Sequence, residues 1–200
     1  MNRYARTAGA ALFILLSLLL SGVAAAGEPL ELLKAATESV FTLLKDPQLK
    51  AAARRKERVE RLKDIINPIF DYEEVARRTL ASHWRSRTAA EQAEFTALLR
   101  AFLEKIYSDR IDLYDGERVN FVKETVDRDF AEVESKLVNR ENEESQVIYR
   151  LQRKNGQWKV YDAVVENISI VNNYRSQFQR VIAKSSYEEL KRLLRQKAGS

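Results

Sequence analysis

Between Leu30 and Leu44 the apolar residues Leu33, Ala36, Val40 and Leu44 recur at the spacing of one helical face. Asp46-Pro47 ends that pattern, because proline disfavours helix in the residue before it. A second helix is predicted from about Gln48 to Ile66, charged outside, with Val59, Leu62, Ile66 and Ile69 on one side and Pro68 as its boundary. Asp71 caps a short helix, with Glu74 three residues on as its capping-box partner. Thr88 and Glu91 repeat the signature and open the longest helix, to about Tyr114. Its stripe is Phe95, Leu98, Leu99, Phe102, Ile106 and Leu113, widened by Leu103, Tyr107 and Tyr114. A face that wide predicts a broad cover such as a sheet.

After Asp115-Gly116 the period changes to two. "RVNFVKE" alternates through Val119 and Phe121, and "DFAEVESKLV" sets Ala131, Val133, Ser135 and Leu137 on one face. "SQVIYRLQR" groups Val147, Tyr149 and Leu151, and Asn155-Gly156 is a two-residue hairpin signal into "QWKVYDAVVE". Four strands with short turns predict an antiparallel meander. From Ile168 the helical period returns through Val171, Tyr174, Phe178 and Val181, and Ser186 with Glu189 opens a last helix ending near Lys197. The fold class is α+β: N-terminal helices, a four-stranded antiparallel sheet, and C-terminal helices closing over it.

The first residues change where this domain is expected to work. Arg3 and Arg6, an apolar run to Leu20 and the small residues Ala24-Ala25-Ala26 have the layout of a cleaved export signal, residues 1–26. The apolar run is shorter than the roughly 20 residues a spanning helix needs. Residues 27–200 are then one domain outside the cytoplasm, expected as a monomer in the periplasm. Removing the signal lowers the formal charge from +5 to +3, and the chain has no cysteine, so burial alone holds it together. Export argues against nucleic acid as a partner and leaves anionic membrane surfaces or acidic protein faces.

Catalytic motifs are scarce. Beyond the signal, Gly116 and Gly156 are the glycines inside the ordered region, both in turns, so phosphate-cradling loops and nucleophile elbows are excluded. His83 in "LASHWRSRT" is the single histidine, read as a partly exposed loop residue, and zinc or copper sites lack ligands. Asp162 is read on a strand face with Trp158, Val160 and Val164. A buried carboxylate there is either a general base, as in small open-barrel isomerases, or an anchor for a backbone N–H or for an arginine such as Arg175. A secreted hydrolase or isomerase using Asp162 or His83 is thus the alternative to a non-enzymatic role.

The run "WKVYDAVVENISIVNNYRSQFQRVI" resembles the signature of the MlaC, or toluene-tolerance, family, and "FDYEEVARRTLASHWRSRTAAEQAEFTALLRAFLEKIY" resembles its central region. One departure is Asn167, where the family usually has glycine; asparagine is the next most tolerant of a left-handed backbone. The resemblance implies helices and sheet clamping an apolar cavity that holds the acyl chains of a phospholipid as cargo, with no cofactor, no metal and no catalysis. It implies shuttling between an outer-membrane lipoprotein–porin assembly and an inner-membrane ABC transporter with a substrate-binding ring, maintaining outer-membrane lipid asymmetry. Under it, the inward residues Phe102, Ile106, Val133, Val147, Tyr149, Leu151, Val160, Tyr174 and Phe178 become pocket walls. Arg85, Arg87, Arg153 and Arg175 become rim or docking residues. Periodicity by itself does not separate such walls from ordinary core.

Overall fold

Two proline-marked breaks divide the N-terminal half as the pattern predicts. The computed structural model describes residues 28–199, so the expected export signal lies outside the described residues. Helix α1 spans Glu28–Lys45 and α2 spans Arg55–Ile66, the latter entered through a 3-10 turn at Ala52–Arg54 rather than starting at Gln48. After a second 3-10 turn at Asn67–Ile69 come α3 (Tyr72–Leu80), the short α4 (Ser82–Arg85) and α5 (Ala89–Asp109). Strands β1 (Arg118–Asp127), β2 (Phe130–Val138), β3 (Glu144–Lys154) and β4 (Gln157–Val165) follow, then a two-residue β5 (Ile168–Ser169), α6 (Ile170–Lys184) and α7 (Tyr187–Ala198).

Local chemistry explains most boundaries. Thr88 and Glu91 form a reciprocal capping box at the start of α5. Asp71 accepts from the Glu74 N–H as predicted, but the other half of that box is missing: the Asp71 N–H donates to the carbonyl of Val160. The Glu74 carboxylate instead holds Arg77 and Arg78. Helix α5 stops at Asp109, short of Tyr114, and a 3-10 turn follows that buries Ile111 and leaves Leu113 69% exposed. Asp112 in that turn accepts from Arg55 at 2.6 Å and pairs with Arg58, so α2 holds the segment out of helix.

The sheet is an antiparallel meander in the order β1-β2-β3-β4-β5. The fifth strand goes beyond the four predicted. It exists because Glu166 and Asn167 both take left-handed backbone (φ 47° and 64°), which folds the chain straight back onto β4. Asn167 therefore serves where glycine is usual. Helix α1 covers the sheet at one end, where the Leu30 N–H donates to Glu124 (2.8 Å) and Trp158 Nε1 to Glu28 (3.1 Å). The broad cover expected over α5 is different from the prediction: Phe95, Leu99 and Phe102 pack among α3, α6 and α7, not under the sheet. Aromatic contacts tie that bundle, Phe95 edge-on to Phe178 and Phe102 edge-on to Tyr174.

Asp71 also pins α3 to the sheet, accepting from Gln152 (3.0 Å) and Lys154 (3.0 Å) of β3. Burial alone would raise its carboxyl, but the Glu74 N–H, Lys154 and Gln152 outweigh burial and hold it below the ordinary value. Burial likewise opposes, and Arg77 and Arg78 overcome, in holding Glu74 low. A folded pKa below the unfolded one contributes stability that is complete above the unfolded value and is lost as pH falls through the folded value. Unfolding followed by circular dichroism is therefore expected to set in below about pH 4. Lys154→Met, which removes one of Asp71's partners, is expected to raise the acid midpoint. A midpoint that does not move would show that Asp71 is not a source of the acid sensitivity.

Candidate functional site

Among the described residues the buried apolar side chains fall into three clusters, where a domain of this size ordinarily closes one continuous core. The first lies among α3, α5, α6 and α7 and includes Leu80, Phe95, Leu99, Leu190 and Leu194. The second joins Leu33 of α1 to Ala131, Val133, Leu151, Trp158 and Val160 of the sheet. The third gathers Leu43, Leu49, Val59, Leu62 and Ile111 around the α1–α2 connection. A cavity of about 210 Å³ lies where the three face one another. Val75, Leu103, Ile106 and Val171 reach it from the first cluster, Phe70 from the second, Ile66 and Tyr107 from the third. Tyr72, Tyr161, Ala163 and Ile170 complete the wall.

The lining is almost wholly apolar. Two of its polar tips are tied back on one side: the Tyr72 and Tyr107 hydroxyls donate to Asn67 Oδ1 at 2.8 and 3.4 Å, and Asn67 Nδ2 donates to Glu104 at 2.9 Å. Burial, and then the Glu104 charge, pushes the Tyr72 phenol up to about 12. Burial leads in raising Tyr107 as well, so neither phenol ionises near neutral pH. The wall is therefore apolar surface held apart rather than packed together, which gives up the contacts that a closed core would make.

Asp162 touches the cavity wall but is committed elsewhere. Pairing slips by one residue between Arg150–Asp162 and Leu151–Val160, leaving Tyr161 as the extra residue of a bulge. Paired residues share a side, so Asp162 follows Arg150 and lies opposite Val160 and Trp158; the shared face expected from simple alternation is corrected by this bulge. Its carboxylate accepts from the Val171 N–H (3.0 Å), the Ser169 hydroxyl (2.7 Å) and Arg150 (3.4 Å). It is an anchor for the first turn of α6. The arginine is Arg150 rather than Arg175, whose Nε donates to the carbonyl of Arg78 at 2.8 Å. His83 is half-buried in α4, not in a loop, and its Nε2 lies 3.1 Å from Gln179 Oε1. Among the described residues, no group of three or more His, Asp or Glu side chains converges to hold a metal ion.

Of the nine wall residues expected from the sequence, Ile106 lines this cavity. Phe102, Tyr174 and Phe178 sit in the helical cluster behind it; Val133, Leu151 and Val160 sit in the sheet cluster, with Tyr149 packed against them. Val147 is buried beside Ser135, whose hydroxyl donates to its carbonyl. Tyr149 is half-buried, and burial raises its phenol. The other wall residues come partly from regular helices, Tyr72 and Val75 of α3, Leu103 and Tyr107 of α5 and Val171 of α6, and partly from junctions: Ile66 and Phe70 flank a 3-10 turn, and Ile170 follows β5. Ala163 and Tyr161 come from the bulged strand. Among the arginines, Arg87 stacks 4.6 Å from the Tyr187 ring and pairs with Glu91, and Arg153 is exposed at the far end of β3. Arg85 and Arg175 share a second concavity with Arg77 and Arg78.

Relatives agree with this architecture. A protein of Haemophilus influenzae, the intermembrane phospholipid transport system binding protein MlaC, is 22% identical over 196 residues, covering 93% of this chain and 90% of its own. A solved structure of a phospholipid-binding protein from Ralstonia solanacearum, in complex with a phospholipid, superposes with a TM-score of 0.74 at 22% identity, covering 84% of this chain and 96% of that one. Among the described residues, no helix is long and apolar enough to cross a membrane. The profile of the family described as MlaC protein matches residues 34–196, and the chain belongs to the MlaC family.

Proposed function

We propose that this chain is a periplasmic phospholipid carrier, its residues 27–200 forming one lipid-binding domain once residues 1–26 are removed. The observation that carries this reading is the largely apolar cavity at which three apolar clusters fail to merge. Crossing water exposes acyl chains at about 0.8 kcal/mol per CH₂, so two chains cost tens of kcal/mol unless enclosed. A carrier needs such an enclosure and no reaction. The space of about 210 Å³ is smaller than the roughly 300–1,000 Å³ of ordinary ligand pockets. Loading therefore parts the clusters, and the surrounding residues Phe102, Ile106, Val133, Val147, Tyr149, Leu151, Val160, Tyr174 and Phe178 become walls of the expanded pocket. The family relationship supports the wider role: exchange of lipid between an outer-membrane lipoprotein–porin assembly and an inner-membrane ABC transporter with its substrate-binding ring.

Native mass spectrometry of the exported protein, followed by lipid extraction, tests the reading. A stoichiometric adduct of phospholipid mass is expected. A bare protein mass that persists after incubation with phospholipid vesicles would overturn it.

A further inference from the structure

A concavity of about 500 Å³ opens where α3 passes into α4. Four guanidinium groups line it: Arg77 and Arg78 from α3, Arg85 from α4 and Arg175 from α6. One carboxylate serves the group. Glu74 accepts from Arg77 Nε and from Arg78 Nε, both at 2.6 Å. Among the described residues neither Arg85 nor Arg175 has a carboxylate within 4.0 Å, so the concavity keeps a surplus of positive charge.

Three of the four groups, Arg77, Arg78 and Arg175, are held by hydrogen bonds. The bond from Arg175 Nε to the Arg78 carbonyl fixes one edge of that guanidinium and leaves its terminal amines for another acceptor. The Arg78 guanidinium lies 4.0 Å over the Tyr161 ring while its Nε holds Glu74. Ala81, at φ 50° and ψ −117°, takes a backbone conformation that L side chains rarely adopt, and this sharp turn brings Arg85 round beside the α3 arginines. Planar forks held this way suit bidentate oxyanions better than flexible ammonium groups would. Tyr161 also lines the apolar cavity, so one aromatic ring lies between the two spaces. A diacyl phospholipid carries its phosphate on the glycerol that bears the chains, and the two spaces have that adjacency.

We infer that the concavity of Arg77, Arg78, Arg85 and Arg175 is an oxyanion site for a phosphate ester, filled by the headgroup phosphate of the lipid whose chains occupy the cavity. This rests on the carrier reading. A free phosphate is the other source of the same chemistry, and the experiment separates them.

Exported protein and its Arg85→Gln/Arg175→Gln form are loaded from vesicles containing phosphatidylglycerol, and separately from vesicles containing diacylglycerol of the same chains. Back-transfer to empty vesicles is timed, and inorganic phosphate is titrated against both proteins by NMR. The double variant is expected to release phosphatidylglycerol at least about tenfold faster, the loss of charged hydrogen bonds, and to release diacylglycerol at an unchanged rate. Arg175→Lys, which keeps the charge without the fork, is expected to fall between; with Arg85→Gln it carries the test should the double variant unfold. Equal changes for both lipids, or no change for either, would overturn the site. Phosphate binding that the substitutions abolish, with unchanged lipid release, would overturn the headgroup assignment in favour of free phosphate. If neither lipid loads, the carrier reading has failed, and the phosphate titration alone decides whether the concavity binds oxyanions.

Discussion

Ala163→Leu is expected to make the protein more stable and less able to carry lipid. Ala163 is a small half-buried residue of β4 on the wall of the apolar cavity. A leucine there packs added methyl groups against the apolar wall, and about two newly buried CH₂ equivalents at about 0.8 kcal/mol each return about 1.5 kcal/mol. For a chain of this length that raises Tm by about 3–6 °C. The same methyl groups occupy the place of an acyl chain, so phospholipid recovered with the protein is expected to fall at least about tenfold. Calorimetry and lipid extraction on one preparation read both effects. A rise in Tm with full lipid content would show that the chains lie elsewhere. Overpacking costs typically about 1–3 kcal/mol; should it lower Tm at Ala163, Val75→Leu places a smaller addition on the α3 part of the wall and carries the same expectation.

That opposition between stability and function also explains which parts of the molecule could be read in advance. Caps and turns are local chemistry, so Thr88 with Glu91, Ser186 with Glu189 and Asn155-Gly156 appear where their sequence predicts. Period-two alternation gave four strands for the same reason. The stripe of α5 was visible, but its partner was not: Phe95 and Leu99 present the same pattern whether a sheet or three helices cover them. The bulge at Tyr161 adds one residue to one strand, a change of register that alternation cannot reveal, and it moved Asp162 to the other side of the sheet. The cavity was the least legible feature. It is made where Phe70, Ile106, Tyr107 and Val171 stop short of touching, and periodicity records which residues point inward, never how far they reach.

Asp162→Ala is expected to cost about 3 kcal/mol, from the loss of hydrogen bonds to a buried carboxylate, and to lower Tm by about 6–12 °C. The carboxylate is 5% exposed and receives the Val171 N–H and the Ser169 hydroxyl, both at the start of α6. Its removal strands those donors. Arg150 is not stranded in the same way, because its side chain is 34% exposed and keeps Glu132 at 2.9 Å, so the larger penalty of an abandoned buried charge does not apply. Asp162→Asn keeps an oxygen for the Val171 N–H and is expected to cost only about 1 kcal/mol. This pair of variants separates an anchor from a catalytic base. If Asp162 is a base, Asn abolishes turnover while the fold and lipid content stay as they were. If it is an anchor, Asn is nearly silent and Ala frays the first turn of α6. Ile170 and Val171 belong to that turn and to the cavity wall. Loosening it opens the enclosure, so Asp162→Ala is also expected to release bound phospholipid faster, at temperatures where the protein is still folded.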